Sequence, residues 1–353
     1  MSKINIAIIG AGWFGCHIAT EILSKFKKFS VTIFEEKSDI FEGASGYNQN
    51  RLHLGFHYPR SKITRQQSKK GFEMFLRMYP NFSKKLNNNF YAVENSNKTH
   101  LNFKEFCKVC KNSKLKFKIL NQNKYGFKNI EGLIQCDERL ILVDEAKKFF
   151  KKKLKNNLLL NFKVDNIKKK KNFFEINKFG KKFDILINCT WQKFNNIKKW
   201  NLIYEVCICL IYQKNKLKKK NVDCLTVMDG PFYTIYQWKK SLYNLYSVKY
   251  SRIKKFKFYS SATRAIKNIT LTDKYKFKTK VENDFLNYYP EFLNHFKFKK
   301  FFSTIRTIKI NSNDDRNFEL NIKNNQIDIL SGKIDHICLT SDIIIKWLKK
   351  KKF

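Results

Sequence analysis

Three glycines near the start of the chain, Gly10, Gly12 and Gly15, stand at GxGxxG spacing in the segment GAGWFG. Each has a separable use: Gly10 permits a tight turn, Gly12 lets a pyrophosphate approach the backbone, and Gly15 lets a helix pack closely on a sheet. Trp13 and Phe14 fall on the first turn of the helix that should follow, where free N–H groups and the positive dipole end suit phosphate. About twenty residues on, at the end of a second strand, Glu35 is placed to accept hydrogen bonds from ribose hydroxyls, with Glu36 as the one-residue-slip alternative. A glycine turn in an unrelated α/β protein is the plainer reading, and the strand, helix and acid around the motif argue against it.

Histidines supply the other candidate chemistry. His53 and His57 lie in FEGASGYNQNRLHLGFHYPR, residues 41–60, a segment neither periodic nor low in complexity, as ordered functional loops are. Either imidazole can act as a base near neutral pH, or merely order the loop by hydrogen bonding. Tyr58, Arg60, Tyr233 and Lys249 are further candidates to line a pocket, with ordinary packing as the alternative for each. His17, His100, His295 and His336 have no clustering partners in the sequence and are read as structural or surface residues.

The elements that must position these groups follow from hydrophobic period. INIAII at 4–9 reads as a strand buried on both faces, residues 14–27 as an amphipathic helix and VTIF at 31–34 as a second parallel strand, which closes a βαβ unit. Residues 65–88 and 100–120 read as helical, and a further helix is expected over 144–155. Strand patterns recur near 158–164, 172–177 and 183–189. From 202 to 250 the alternation is that of a large antiparallel sheet, interrupted at Asp229, Gly230 and Pro231; strands at 303–310 and 326–330 and a helix from Ser341 end the chain. The fold class is therefore α/β: a Rossmann-type domain with a parallel sheet and flanking helices, plus a second domain built on a large antiparallel sheet.

Composition bounds the reading without deciding it. A length of 353 residues suggests two domains, and 43% hydrophobic residues provide a packed interior. The net charge of +43 would suit nucleic acid, yet only nine of 72 Lys+Arg are arginine. The joint abundance of Lys, Asn, Ile and Phe, all with A/T-rich codons, makes compositional drift the simpler cause, and no nucleic-acid partner is expected. Nine cysteines without regular spacing suit a reducing compartment. The lone CxxC of Cys107 and Cys110 lacks a second pair, so surface or packing cysteines, and no metal site, are expected. With neither a signal peptide nor about 18 uncharged apolar residues in a row, a cytoplasmic protein is expected.

The glycine motif does not separate NAD from FAD. GAGWFG, the 31–60 segment, IRTIKINSNDDR and SGKID together resemble, in family order, the D-amino-acid oxidase (DAO) superfamily of FAD-dependent oxidoreductases. SGYNQNRLHLGFHYP is also similar to the SGxNSGxxHxGxYY segment of L-2-hydroxyglutarate oxidases, with Asn48, His53, Gly55 and Tyr58 at matching places. The resemblance implies FAD, with the loop Gly43, Ala44 and Ser45 along the pyrophosphate and the backbone of Val164 at the adenine. It further implies Gly332 and Lys333 at the flavin's pyrimidine edge, and Arg306 beside the flavin, where a guanidinium can clamp a carboxylate. A histidine in the 41–60 loop can be a covalent flavin attachment point in some relatives. The family's segmented FAD domain maps to 1–60, 138–200 and 300–353, leaving 61–137 and 201–299 as a substrate-binding domain. Two departures stand out: Cys189, Thr190 and Trp191 replace the usual Ala-Thr-Gly, and Thr307 replaces a proline after Arg306, with the acidic part stretched to Asp314, Asp315 and Arg316.

The expected activity is hydride transfer to flavin N5 from a C–N or C–O bond of a small amino acid, hydroxy acid or sugar-like molecule, with an anionic substrate favoured by the basic charge. The alternatives are a non-redox flavoenzyme such as a nucleotide-sugar mutase, an RNA-modifying flavoenzyme, and a flavin-binding module without catalysis.

Overall fold

The computed structural model describes residues 3–194, 197, 200–215, 222–230, 232–310 and 316–351. Pro231, Asp314 and Asp315, which the sequence reading used, lie outside the described residues.

Strand β1 (Ile4–Ile9), helix α1 (Trp13–Lys25) and strand β2 (Phe29–Phe34) form the opening unit. The two strands are parallel, with Ile6 opposite Val31 and Ile8 opposite Ile33. Ile185–Asn188 pairs in parallel on the other side of β1, and the order of the six-stranded sheet runs Glu319–Lys323, Gln326–Leu330, Ile185–Asn188, β1, β2, Leu158–Leu159. Its apolar runs are continuous because both faces are covered. Ile6, Ile8 and Ile187 point into a core shared with α1 and the helix Ile337–Lys350. Ala7, Ile9 and Leu186, on the alternate positions, pack against Phe174, Ile176 and Phe183 of a small three-stranded sheet.

The second layer is a nine-stranded sheet whose long central strand, Leu202–Lys214, is flanked by Phe296–Lys309 on one side and by Leu242–Ser247 and Arg252–Phe256 on the other. It is antiparallel apart from Cys224–Met228, which runs parallel to Asn89–Glu94. Its two faces differ in chemistry, as a strand period of two allows. Ile208, Leu210, Leu245, Ile235 and Tyr233 bury one face under the helix Leu271–Phe285 through Phe277, Val281 and Phe285. The intervening positions, including Cys207, Asn244, Tyr246 and Thr234, face the other way and line a cavity.

Several sequence expectations shift at identifiable signals. The helical stretch expected over 65–88 is the helix Lys62–Met78, and it stops there because Pro80 both lacks an N–H and disfavours helical ψ at Tyr79, which adopts 61°. Ser83–Lys85 and Asn89–Glu94 are strands instead. The 100–120 region is helical only over Phe103–Asn112; Lys114 turns the chain at φ 54° and Phe117–Leu120 is a strand. The last helix starts at Ile337, led in by the turn Ile334–His336, and the strand expected from 303 begins at Phe296. Cys107 and Cys110 are packing residues, both buried in an apolar cluster with Tyr91 and Phe106. Among the described residues no helix is long and apolar enough to cross a membrane.

Helix Lys62–Met78 seats on the Ile334–His336 turn at Gly71, where a Cβ would come 1.9 Å from the Asp335 carbonyl oxygen. Gly71→Ala must push helix and turn apart, and is expected to cost about 2 kcal/mol. Urea unfolding checks this; an unchanged midpoint would show that the helix can stand off the turn.

Candidate active site

A cavity of about 1010 Å³ joins the carboxyl ends of the parallel strands to the polar face of the large sheet. It matches the upper end of ordinary ligand pockets, roughly 300–1,000 Å³, and so has room for a long cofactor with a small partner.

At its first end the glycine turn is built as its spacing demands. Gly10 has φ +96°, a backbone region that favours glycine, and a Cβ on Gly15 would lie 1.9 Å from the Gly10 carbonyl oxygen. Gly12 is the N-cap of α1 and offers no capping side chain. The loop Gly43–Ala44–Ser45 lines the cavity beside it, and the Ser45 hydroxyl accepts the Trp13 N–H at 3.0 Å. Trp13 serves here through its backbone, since its indole is core, stacked on Phe41 at 4.8 Å. Phe14 is half-buried on the cavity wall. Asn48 closes the loop on itself by donating to the carbonyls of Ala44 and Ser45.

Glu35 accepts N–H groups from Ala11 at 2.7 Å and Lys37 at 3.0 Å. Burial pushes its carboxyl above the usual range against these two bonds. Glu36 is paired with Lys193 instead. Val164 and Phe162 form the adjoining apolar wall. These residues fit an FAD diphosphate and adenosine: a small-residue cradle that a Cβ would fill, a helix N-terminus whose N-cap is a glycine, and a carboxylate at the end of the second strand.

At the other end, His53, His57 and Tyr58 meet. The two imidazoles are 5.5 Å apart between centroids, and Tyr58 is edge-on to both, at 5.6 Å and 5.2 Å. Behind them Glu138 is fully buried, 3.7 Å from His53 Nδ1 and 3.8 Å from Arg51 Nε, and it accepts the Tyr91 hydroxyl at 2.6 Å and the Leu54 N–H at 2.8 Å. Burial alone would raise Glu138, yet His53, Arg51 and Tyr91 hold it well below the carboxylate range. Burial lowers His53 below the ordinary histidine value, partly opposed by Glu138, and lowers His57 further with help from His53 and Arg51. Both rings are therefore neutral near pH 7 and able to accept a proton.

The remaining candidates are placed as follows. Arg306 lines the cavity, but its Nε and Nη2 already donate to Glu205 at 3.1 Å and 2.7 Å, so the two-pronged fork expected for a carboxylate is engaged within the protein. Lys333 lies over the Tyr58 ring at 3.7 Å and bonds Ser68, with Asp335 at 3.5 Å. Gly332 lies under the Trp191 indole, and Trp191 keeps a glycine-like φ of 54°. Arg60 lines the cavity and pairs with Asp229 at 2.8 Å.

Two candidates are corrected. Tyr233 is out of phase with Thr234 and lies on the helix-covered face, its hydroxyl on Asp284, while Lys249 pairs outside with the same carboxylate. His336 is a buried structural residue beside Asp335 at 3.7 Å and the Ser331 hydroxyl at 3.1 Å. His17 is a buried structural residue bonded to Tyr79 and Ser341. His100, unremarkable in the sequence, reaches the cavity wall. Arg51, Glu138, Asn244, Tyr246 and Arg252 were not singled out by sequence reasoning. Strand alternation could have pointed to Asn244 and Tyr246, whereas nothing local marks Glu138.

A cleft joining a dinucleotide turn to paired histidines under a polar sheet defines the class of two-layer flavoenzymes. Residues 5–138 match the profile of the FAD dependent oxidoreductase family, DAO, and the comparisons support an FAD-dependent oxidoreductase. It is 29% identical over 342 residues to the FAD-dependent monooxygenase FPY4 of Fusarium mangiferae, covering 97% of this chain and 90% of that one. It is 24% identical over 371 residues to the FAD-dependent monooxygenase kojA of Aspergillus flavus, covering 98% and 85%. Among solved structures, dithionite-reduced L-alpha-glycerophosphate oxidase from Mycoplasma pneumoniae with FAD bound superposes at TM-score 0.74, with 15% identity, 99% of this chain and 96% of that one. Glycine oxidase from Geobacillus kaustophilus superposes at 0.74, with 9% identity, 100% and 96%.

A Cβ on Gly12 would meet the Ser45 hydroxyl at 2.5 Å. Gly12→Val is therefore expected to weaken FAD binding by about 100-fold while leaving the circular dichroism spectrum unchanged. Equilibrium dialysis of FAD measures it; unchanged affinity would mean the diphosphate lies elsewhere.

Proposed function

We propose that the chain oxidises a C–O or C–N bond of a small polar substrate held between the flavin and the large sheet. The observation that carries the reading is that one cavity has the glycine turn and Glu35 at one end and the neutral His53–His57 pair at the other. FAD supplies the hydride acceptor when bound. His53 takes the proton that the substrate's hydroxyl or amine releases, and the buried Glu138 keeps the resulting imidazolium favourable. The proposed cofactor contacts are Gly10, Gly12, Trp13 and Ser45 through the turn, Glu35 at the ribose, Val164 at the adenine, and Gly332 with Lys333 near the flavin ring. Tyr58 and Arg306 act through shape and charge rather than as proton carriers.

Division of labour follows the two sheets. Residues 1–60, 138–200 and 300–353 are proposed to hold FAD, with 61–137 and 201–299 shaping the substrate end. The helix Lys62–Met78, packed on the Ile334–His336 turn, and the strand Phe296–Lys309, paired in the large sheet, cross that division and couple its parts.

Mixing the purified holoenzyme with donors in the absence of oxygen tests the reading. A substrate that bleaches the flavin supports oxidation and opposes a mutase; in air, peroxide release separates an oxidase from oxygen insertion into the product. His53→Ala should slow bleaching by about 100- to 10,000-fold with FAD still bound. An unchanged rate removes His53 as the base.

The pH profile gives an independent sign. Burial places His53 below its ordinary value of about 6.5, so the acid limb of flavin reduction should fall below that pH. Glu138 opposes the lowering, so Glu138→Gln should move the limb to still lower pH. Stopped-flow reduction across pH reads both, and a shift upward would contradict the assignment.

A further inference from the structure

The cavity face of the large sheet is polar for a surface so deeply buried. Asn244 and Tyr246 alternate onto it from Leu242–Ser247, Tyr246 lies opposite Thr234, and all three line the cavity. Asn244 is fully buried, and neither its Oδ1 nor its Nδ2 has a hydrogen-bond partner among the described residues; the Tyr246 hydroxyl is in the same condition. Their polar neighbours include the thiols of Cys209 and Cys207, which are weak partners, and the Arg306 and Arg252 guanidiniums stand near the Tyr246 hydroxyl. Buried polar atoms are costly to leave unmade and rare in native folds. Such atoms side by side on one cavity wall mark a surface that a ligand completes.

Charge narrows the ligand. Arg51 is matched by Glu138, Arg60 by Asp229, Arg306 by Glu205 and Lys333 by Asp335. Arg252, which faces Cys207 across the strand pair, donates Nε to the Val248 carbonyl and has no carboxylate partner among the described residues. Asp229, the carboxylate that lines this end, is already held by Arg60. Among the described residues, the substrate end thus offers a cation for a carboxylate and no spare anion for an ammonium. The Asn244 amide is donor and acceptor at once, which matches a hydroxyl, whereas an ammonium only donates.

We propose that the substrate is a small 2-hydroxy acid with at least one further hydroxyl, its carboxylate on Arg252 and its second hydroxyl on Asn244 and Tyr246. This rests on the oxidation proposed above and names its substrate class. The C2–H bond breaks with its electron pair passing as hydride to FAD, the O–H proton passes to His53, and the carbon–oxygen double bond forms. A 2-oxo acid and reduced FAD result, a balanced two-electron exchange.

Glycerate, lactate and serine test this on the holoenzyme without oxygen, each followed by perturbation of the flavin's visible spectrum, for binding, and by its bleaching, for reduction. Glycerate should bind and bleach; lactate, lacking the second hydroxyl, should be about tenfold or more less efficient, and serine, the amine counterpart of glycerate, should do neither. Asn244→Leu should bring glycerate and lactate within about threefold of each other by weakening glycerate more than lactate, and Tyr246→Phe should narrow the gap in the same direction. Arg252→Met should weaken both acids. Serine matching glycerate, glycerate failing to perturb the spectrum, or an unchanged glycerate preference in either sheet variant would overturn the proposal. A holoenzyme that binds glycerate over serine yet is reduced by no donor would sink the oxidation alone and leave the recognition standing.

Discussion

The buried pair of Arg51 and Glu138 is the constraint on which the substrate end depends. Arg51 donates to the Tyr91 hydroxyl, to Thr226 and to Cys224, and its guanidinium lies 4.1 Å above the Tyr236 ring. Three strands of the large sheet thereby grip the short strand Arg51–Leu52, which begins the histidine loop. Glu138 completes the grip from the opposite side by taking the Leu54 N–H. Two buried charges are tolerable when most of their polar atoms are bonded, as the Arg51 Nη atoms and both Glu138 oxygens are, and removal of either partner leaves the other stranded at a cost of about 3–5 kcal/mol. The same carboxylate also faces His53, so the group that fixes the loop's position also sets the ring's readiness to take a proton.

The two sheets divide the problem between backbone and side chain. At the dinucleotide end recognition is carried by glycines, N–H groups and one carboxylate, because a diphosphate needs close approach and fixed dipoles more than it needs side chains. At the far end a rigid sheet carries the contacts, and a period of two lets one strand serve both core and site. Leu245 packs beneath the helix Leu271–Phe285 while its neighbours Asn244 and Tyr246 face the cavity. A substitution that changed register by one residue would exchange these faces and lose core and site together.

Legibility in the sequence followed locality. The opening unit could be read because its signals lie within 35 residues: an apolar run, a spaced glycine turn, an amphipathic helix and an acid. The histidine loop stood out for its composition. Helix ends were misjudged where one Pro80 or one left-handed Lys114 outweighed a hydrophobic pattern that continued beyond them. Glu138 left no trace, since it is 87 residues from Arg51 and 85 from His53 and acts only once the sheets are assembled. Arg306 was legible as a position but not as a state, because its engagement by Glu205 comes from cross-strand pairing of Leu202–Lys214 with Phe296–Lys309.

The Cys189–Thr190–Trp191 segment runs into a left-handed turn made without glycine. Where a glycine is usual, Trp191 takes φ 54° and Gln192 takes φ 62°, so the turn that glycine would make is made without one. Such a conformation is unfavourable for a bulky side chain and must be held from outside. Thr307, at the position of the expected proline, donates its hydroxyl to the Trp191 carbonyl at 2.9 Å, and the Gln192 amide donates to Ile329. Tyr204 adds a hydroxyl to the Gln192 carbonyl at 2.6 Å. The indole then covers Gly332, whose lack of a Cβ leaves room for it, since one built there would lie 2.8 Å from the ring. The two substitutions are therefore coupled: a proline at 307 would remove the hydroxyl that holds the tryptophan's strained backbone, and a side chain at 332 would evict its ring.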